Sequence, residues 1–271
     1  MWALLLALSG PARAAACCGP TGGDLPATLR RCERWGAALV GAAALEEGRW
    51  TSEGAWVPTS ERWTQGTLTL GLAARPVPWL TVGAGLPAVG TRKVAGELVS
   101  SGLGPGDATL SARIEPWDPA LVKAAPTLTL GLVGPTGRSA EESADPLQAD
   151  ITGQGHLLGV AGIGVERAAG AWPWHAGARV QSGAQGAESR LDLSAGVSHH
   201  PAGLWIAGGS LTGALGLSEP TRRVGADVQV IRALPPSARA WVSLGSEVPL
   251  SGLGRNLHGE ARISAGVLLT R

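Results

Sequence analysis

The chain has 271 residues, a net charge of +1 and only 16% charged residues, with no block of lysine and arginine. This composition argues against nucleic-acid binding, which depends on a basic surface. Glycine contributes 41 residues, 11 tryptophans replace the absent phenylalanine and tyrosine, and 44% of residues are hydrophobic. A chain this apolar, with its glycines inside patterned segments, is predicted to fold rather than to remain a disordered glycine-rich polymer.

Residues 1–16 have the features of a secretory signal peptide. An apolar run, Trp2 to Leu8, leads into the breaker Gly10-Pro11, and three alanines from Ala14 to Ala16 follow. The run is too short to cross a bilayer as a helix, and the small residues are typical of a cleavage site. A buried N-terminal helix is the alternative interpretation.

Residues 17–34 precede the first predicted strand and contain all three cysteines, Cys17, Cys18 and Cys32. We expect this segment to lie in the periplasm. An oxidising compartment would allow one disulfide between Cys32 and either Cys17 or Cys18. Cys17 is also a candidate for lipidation. A metal site is disfavoured, because three thiolates without a neighbouring histidine or acidic cluster would be an incomplete ligand set.

From residue 35 to residue 271 the chain repeatedly alternates apolar and polar residues. In GTLTLGLAA, for example, Leu68, Leu70 and Leu72 occupy one face and threonine or glycine the other. A period of two indicates β-strands, and runs of roughly 8 to 11 residues suit tilted strands that cross a membrane. The same alternation occurs in residues 80–86, 108–115, 127–133, 175–181, 190–198, 224–230 and 260–269. About twelve strands are predicted in total.

Turns and irregular segments punctuate these runs. Proline- and glycine-rich stretches, including GPGD at 104–107, are predicted to separate strands. The segment 203–217 changes parity between Ile206 and Leu211, which predicts a bulge at Gly208-Gly209. The polar segment from Gly134 to Gly155 cannot form a strand and is predicted to be a large exposed loop.

The character of the two faces distinguishes a membrane barrel from a soluble one. The polar face carries mainly threonine, serine and glycine, and lysine is almost absent from the chain. A soluble surface is usually rich in lysine and glutamate, so this face suits a confined, hydrated lumen. Closing the sheet would also satisfy every backbone polar group in lipid. We therefore predict an all-β fold, a transmembrane antiparallel up-and-down β-barrel over residues 35–271 with its leucines facing outer-membrane lipid.

Seven tryptophans lie near predicted strand ends, where an interfacial girdle would place them. Filling of a protein core is the alternative role for these side chains. The seven are Trp50, Trp56, Trp63, Trp79, Trp117, Trp172 and Trp174.

Three glycine-rich motifs resemble those of a known family. GLGPGDATLSARIEP carries Gly106-Asp107 at the head of a strand, PTLTLGLVGPTGR ends in Pro-Thr-Gly at 135–137, and TGQGHLLGVAGIGVE begins with Thr152-Gly153. Together, over about Gly102 to Glu166, they resemble the outer-membrane proteins named for the meta-pathway of phenol degradation. These transporter-like barrels are related in style to the fatty-acid porins.

The resemblance implies location and class more than a particular ligand. It implies a barrel in the outer membrane of a Gram-negative bacterium, inserted there by the outer-membrane assembly machinery. Fatty-acid porins place an N-terminal segment in the lumen, and the resemblance extends that expectation to residues 17–34 as a plug.

Charged residues on the polar faces are the candidate site residues. Charges inside a narrow barrel are costly unless they are paired. They could therefore pair with each other and brace the interior, or they could line a path or binding site for a solute. The candidates are Asp107, Arg113, Glu115, Arg179, Asp192, Asp227, Arg239 and Arg262.

No catalytic residue, metal site or cofactor is predicted. The Gly-x-Gly fragments lack the Gly-Lys-Ser/Thr of a phosphate loop. His199 and His200 are adjacent and would point to opposite faces of a strand. Ser139 and His156 lack a Gly-x-Ser-x-Gly elbow, so hydrolase chemistry has little support. Acidic residues in the long loop could bind a divalent cation, although solvated charge is the simpler interpretation. These residues are Glu141, Glu142, Asp145 and Asp150.

The first functional hypothesis is a passive channel for small solutes, including hydrophobic or aromatic ones, without catalysis. Selection would depend on lumen width, the inward charges and the loop from Gly134 to Gly155. The second hypothesis is a sealed structural or surface-binding barrel without transport. An outer-membrane hydrolase or a soluble secreted barrel is the third.

Overall fold

The computed structural model describes most of the chain after the N-terminal segment. The described residues are 29, 33–50, 56–118, 121–167, 172–183, 189–199, 205–217, 222–234, 238–251 and 260–271. The predicted signal peptide and all three cysteines lie outside the described residues. Among the described residues there is no helix with the length and apolarity needed to span a membrane.

The described residues form thirteen antiparallel strands in a single sheet. Alternation of β-branched or leucine residues with small polar ones explains why these segments adopt the extended conformation. The strands are β1 Trp35–Trp50, β2 Trp56–Val77, β3 Leu80–Ala95, β4 Leu98–Pro105, β5 Ala108–Ile114, β6 Ala125–Gly134, β7 Leu158–Arg167, β8 Trp174–Gly183, β9 Arg190–His199, β10 Trp205–Gly216, β11 Arg222–Leu234, β12 Ala238–Ser251 and β13 Glu260–Thr270.

The sheet closes on itself, because consecutive strands pair with each other, except β4 with β5, and β1 also pairs with β13. At the seam Leu39 lies opposite Val267. Strands β4 and β5 both pair with β3, β4 along its second half and β5 along its first half. They therefore share one position, and the barrel has twelve. This confirms the predicted all-β, twelve-stranded antiparallel barrel.

The leucine face of each strand points out of the barrel. Leu128, Leu130 and Leu132 of β6 are 37%, 46% and 50% exposed, whereas a soluble barrel would bury the same side chains in its core. Their cross-strand partners share this orientation, for example Leu110 opposite Leu132. The outer surface is therefore apolar around the barrel, as an acyl-chain environment requires.

The outward apolar band has a height that matches a bilayer. On β3 it extends from Leu80 to Gly90, and the first outward charge beyond it is Arg92. On β2 the corresponding charge is Arg62, which lies opposite Val94. At ~3.3 Å per residue and a tilt of ~40°, eleven residues rise roughly 28 Å, close to the hydrocarbon thickness of a membrane.

The two ends of the barrel differ. We call the end that holds Trp35 and Thr270 the terminus end, and the opposite one, which holds residues 135–157, the loop end. At the terminus end the backbone N–H of Arg34 donates to the carbonyl of Arg271 at 2.6 Å, which ties the first strand to the last. The longest connection, residues 135–157 between β6 and β7, lies at the loop end.

Two local predictions were wrong. Strand β10 pairs with both neighbours in continuous register, so there is no bulge at Gly208-Gly209. The change of parity has another cause: Ile206 faces inward and is 5% exposed, whereas Leu211 faces outward and is 63% exposed. The GPGD stretch at 104–107 does not reverse the chain. It lies between β4 and β5, which follow one another along the same side of β3 as two parts of one interrupted barrel strand.

Tryptophans ring the terminus end. The exposed ones are Trp35, Trp79, Trp117, Trp172 and Trp205, and all of them lie at or beyond strand ends on that side. Trp172 stacks on His199 with ring centroids 4.3 Å apart, and Arg232 lies 5.1 Å above the ring of Trp205. Amphipathic rings at one level suit a membrane interface.

The predicted girdle needs partial correction. Trp63 faces inward, because it pairs with Lys93, whose other partner, Ser100, lies on the inner side of β4. Trp174 is half-buried. The side chains of Trp50 and Trp56 lie outside the described part of the chain.

Candidate functional site: the barrel lumen

The middle of the lumen is lined by small and polar side chains. Inward residues such as Thr67, Thr69, Gly131 and Ser194 are half-exposed, so water reaches them from inside the barrel. Small side chains leave space in a barrel of intermediate strand number. The interior is therefore hollow in its middle, in contrast to its terminus end.

At the terminus end an apolar layer fills the interior. Leu29, which precedes the first strand, is buried against Ala38, Ala73 and Leu268. Trp241 packs against this cluster and also against a second one, formed by Ile206 and Ile231. Leu29 therefore lies inside the mouth of the barrel at the terminus end.

A chain of four buried charges crosses the same end of the lumen. Glu115 accepts from Arg75 at 2.7 Å and from Arg113 at 2.7 Å, and Arg113 also reaches Glu166 at 2.7 Å. Two cations and two carboxylates alternate, so no charge is left uncompensated, as burial requires. Arg75 further donates to the carbonyl of Leu29 at 2.8 Å.

Glu33 makes a second link between the pre-strand segment and the barrel. One carboxylate oxygen accepts from Arg239 Nη2 at 2.7 Å and the other from the hydroxyl of Thr270 at 3.0 Å. The Arg239 and Glu33 side chains are largely buried. Leu29 and Glu33 therefore attach this segment to the terminus end by apolar contact and by charge.

Towards the loop end, charges line one side of the lumen. Asp192 lies between two guanidinium groups, with Arg179 Nη2 at 2.9 Å from Oδ2 and Arg190 Nε at 2.6 Å from Oδ1. On a neighbouring pair of strands, Ser210 donates to Asp227 at 2.6 Å. Arg179, Arg190, Asp192 and Asp227 are only partly buried, whereas Ser210 is buried.

The interruption between β4 and β5 anchors the long loop. The two carboxylate oxygens of Asp107 accept from the backbone N–H groups of Gly137, at 3.0 Å, and Gln154, at 2.7 Å. Thr136 Oγ1 donates to the carbonyl of Gly106 at 2.7 Å and accepts from the N–H of Ala108 at 2.8 Å. The three motifs noted in the sequence thus meet at one place.

The loop is not simply an exposed segment, which corrects the prediction for residues 134–155. Ala149 is fully buried, and a Cβ atom added at Gly102 would collide with its carbonyl oxygen. A Cβ atom added at Gly104 would lie 3.2 Å from the side chain of Thr152, a tight contact. Both glycines lie on the inner side of β4, because the intervening Leu103 points outward and is 83% exposed. The loop therefore folds inward and narrows the loop end of the lumen.

Glu142 and Asp150, two acidic residues of the loop, accept hydrogen bonds from within the loop. Glu142 accepts from the backbone N–H of Ser139, and this contact lowers the pKa of its carboxyl group. Asp150 accepts from the hydroxyl of Ser143 and from Arg138, and these bonds lower its pKa to about 2. Among the described residues there is no group of three or more His, Cys, Asp or Glu that could hold a metal ion.

The structure places seven of the eight predicted residues in three separate groups. Arg113 and Glu115 meet at the terminus end, where Arg239 binds Glu33; Arg179, Asp192 and Asp227 lie on the wall of the open section; Asp107 holds the loop. Arg262 lies opposite Gly245 on β12 and Ala44 on β1, on the inner face.

Sequence reasoning missed four of their partners. The partners are Arg75, Glu166, Arg190 and Glu33. Glu166 and Arg190 continue the inward parity of β7 and β9, so the alternation could have identified them. Arg75 follows the inward parity of β2 but adjoins a proline-rich turn, and Glu33 precedes the first strand.

Solved structures with the same fold are outer-membrane proteins. The β domain of the Bordetella autotransporter BrkA is 12% identical, with a TM-score of 0.55 over 88% of this chain and 100% of that chain. The KdgM porin is 8% identical, with a TM-score of 0.51 over 86% and 99%. A deletion mutant of the monoaromatic hydrocarbon channel TodX is 10% identical, with a TM-score of 0.50 over 92% and 93%.

Identities this low show a shared fold and nothing finer. No protein-family model matches the chain, and no curated protein matches it either. Membership of the phenol-degradation meta-pathway family therefore stays a prediction from the three motifs.

Proposed function

We propose that the protein is a passive channel for small solutes in the outer membrane of a Gram-negative bacterium. The observation that carries this proposal is a closed barrel with an apolar outer face and a half-exposed, small-residue lumen. Porins and a hydrocarbon channel with the same fold support it. Passive transport needs no catalytic step. The solved structures that share the fold of this chain are an autotransporter domain, a porin and a channel.

The pre-strand segment is proposed as a plug at the terminus end. Leu29 fills apolar space there, and Glu33 is held by Arg239 and Thr270. The double variant L29A/E33Q would weaken the contacts of both residues and so loosen the attachment of the pre-strand segment. Solute flux should then rise, because less of the mouth would be filled.

A sealed barrel without transport is the second candidate. One specific observation favours it: the apolar layer of Leu29, Ile206, Trp241 and Leu268, with the four-charge chain beside it, fills the terminus end. A barrel closed there would conduct nothing unless the segment moved.

Liposome swelling separates the two candidates. Proteoliposomes holding the folded protein should swell in small neutral sugars faster than protein-free liposomes, and faster still with L29A/E33Q. Absence of swelling for both the unmodified protein and the double variant would refute the channel and leave the sealed barrel. Heat-dependent mobility on detergent gels confirms that each preparation contains a folded barrel.

A further inference from the structure

Two exposed cations lie side by side on the outer face of the barrel, where the apolar band ends at the loop end. Arg62 of β2 pairs with Val94 of β3, and Arg92 lies two residues from Val94 on the same face. The two arginines are therefore diagonal neighbours about 7–8 Å apart, within reach of one another's long side chains. Within the described part of the chain, no hydrogen bond or ion pair holds either guanidinium group. We call Arg62 and Arg92 the edge cations.

The positive charge is local to this part of the edge. The residues directly opposite Arg92 are Thr64 on β2 and Ser101 on β4, so hydroxyl groups flank it and these positions supply no carboxylate. On other strands, the outward residues that the structure describes near the loop end are uncharged. They include Leu45, Ser182, Leu191, Leu215 and Ala261. The edge cations thus form a patch of donors that faces the surroundings of the barrel.

Next to the edge cations, towards the middle of the membrane, the outer face is flat. Gly66 and Gly90 lie opposite each other there, and a Cβ atom added at Gly66 would meet only the carbonyl oxygen of Gly90, at 4.0 Å. Leu103, opposite Gly90, is 83% exposed and rises beside the two glycines. The glycines leave a shallow trough in which an acyl chain can pack against Leu103, below the two guanidinium groups.

We propose that the edge cations bind a phosphate monoester on the headgroup of a phosphorylated glycolipid, of the lipopolysaccharide type, in the outer leaflet. The inference rests on the proposed outer-membrane location and is independent of transport. The apolar band ends at the edge cations, so lipid headgroups lie at their level. The acyl chains of the same lipid would run along the apolar band, where contact removes apolar surface from water.

The charge of the patch favours a monoester over a diester. A phosphate monoester carries a charge of about −1.5 to −2 near neutral pH, whereas a phosphodiester carries a single negative charge. Each guanidinium group can offer parallel N–H donors to phosphate oxygens, and the hydroxyl groups of Thr64 and Ser101 can add further donors. One monoester therefore compensates both edge cations, and the phosphodiester of phosphatidylglycerol compensates only one of them.

The lengths of the connections assign the loop end to the outer leaflet. The longest connection, residues 135–157, lies at the loop end, whereas β2 and β3 are joined at the terminus end by residues 78–79 alone. Outer-membrane barrels have short periplasmic turns and longer extracellular loops. The lipid beside the edge cations is therefore the one that faces the cell exterior.

The test measures lipid binding to the folded full-length chain in detergent micelles by native mass spectrometry. The probes are bis-phosphorylated lipid A, the same glycolipid after removal of its phosphates, and phosphatidylglycerol. We expect the phosphorylated glycolipid to bind most tightly of the three. R62Q/R92Q should weaken its binding roughly five- to thirtyfold, as the loss of two exposed charge contacts would produce, and should leave binding of the dephosphorylated glycolipid unchanged.

A matched pair of substitutions separates this site from general attraction between charges. R167Q/R232Q also removes two cations from the outer face, but at the terminus end, where Arg167 lies opposite Trp174 and Arg232 lies above the ring of Trp205. This control should leave the affinity for phosphorylated lipid A unchanged. S101D places a carboxylate directly opposite Arg92 and should weaken binding without removing either edge cation, so it decides if R62Q/R92Q does not fold.

Three results would overturn the proposal. The first is equal affinity of the unmodified protein for phosphorylated and dephosphorylated lipid A. The second is equal weakening by R62Q/R92Q and R167Q/R232Q, which would reduce the effect to net charge. The third is binding of phosphatidylglycerol at least as tight as that of lipid A, which would make the patch a phospholipid site. Liposome swelling without glycolipid tests the channel separately, so failure of either proposal leaves the other standing.

Discussion

Asp107 and Gly137 lie thirty residues apart in the sequence, yet the backbone N–H of Gly137 donates to Oδ1 of Asp107 at 3.0 Å. The other oxygen of the same carboxylate accepts from Gln154 on the returning side of the loop. One side chain thus holds both ends of the segment that narrows the loop end. Asp107 can reach both sides of the loop because it lies between the end of β4 and the start of β5, where the backbone leaves the regular strand.

Replacement of Asp107 by asparagine should release the loop but keep the barrel. The amide of asparagine accepts only through its oxygen, so one of the two hydrogen bonds to Asp107 is lost and the other is weakened. A hydrogen bond to a charged group contributes about 1.5–3 kcal/mol, which is the expected loss in loop attachment. Trypsin should then cleave faster at Arg138, which lies next to the anchor. D118N, at the terminus end, is the control. Unchanged cleavage of D107N would contradict the anchoring role.

Arginine in place of Leu70 should destabilise the barrel in a bilayer. Leu70 is outward and 45% exposed, near the middle of the apolar band. A cation there costs about 2–4 kcal/mol in unfolding free energy. The adjacent T69R points into the lumen, where water surrounds the guanidinium group, and should cost less than L70R. Urea unfolding in lipid vesicles measures both, and the reverse order of the two effects would show that the leucine face does not contact lipid.

Loss of Arg75 should be costly because its partner stays charged. Arg75 and Glu115 are 2.7 Å apart, with side chains only 3% and 8% exposed. R75M is expected to lower the unfolding free energy by about 3 kcal/mol, and addition of E115Q should recover part of that loss. R138M removes an exposed loop cation and should cost below about 1 kcal/mol. No recovery in the double variant would argue against the ion pair as the cause.

Asp150 should titrate at an unusually low pH. The hydroxyl of Ser143 donates to this carboxylate, and Arg138 donates at 2.8 Å, which lowers its pKa from 3.8 to about 2. Since the folded pKa is the lower one, the contact stabilises the loop fully above 3.8 and is lost as the pH falls through about 2.

Carbon-13 NMR of the Asp150 carboxyl in detergent micelles would follow this titration. S143A should raise the midpoint towards the ordinary value, whereas a control substitution in the β8–β9 connection should not move it. A midpoint at or above 3.8 in the unmodified protein would show that Ser143 does not hold the carboxylate in solution.

The tryptophan ring at the terminus end should lie at the membrane surface. Trp79 is 48% exposed there, whereas Trp241 faces inward and packs on the apolar layer. In single-tryptophan variants, bromine near the lipid headgroup should quench Trp79 more than bromine near the acyl-chain end. Trp241 should be quenched by neither. Stronger quenching of Trp79 from the bilayer centre would contradict an interfacial ring.

The facing of the strands could be read from local sequence. Leu128, Leu130 and Leu132 alternate with polar or small residues at a period of two. Successive residues of a strand point to opposite faces of the sheet, independently of which strands are its neighbours. The same rule placed Arg179 and Asp192 inside the barrel. It failed at Ile206, because an inward apolar residue belongs there to the layer that fills the terminus end.

Pairing between distant residues could not be read in the same way. Arg113 reaches Glu166 across 53 positions, and this partnership depends on the register of β5, β6 and β7. The inward fold of the loop depends on Gly102 and Gly104 leaving room for it on β4. Neither relation leaves a periodic trace in the chain.

The sequence by itself therefore determined an all-β chain, its number of strands, and which side of each strand meets lipid, because alternation and strand length are properties of a few consecutive residues. Only the tertiary structure decided which charges compensate one another, where Leu29 sits and how the loop narrows the lumen. Those features arise from contacts between segments far apart in the chain, which closure of the sheet and its register bring together.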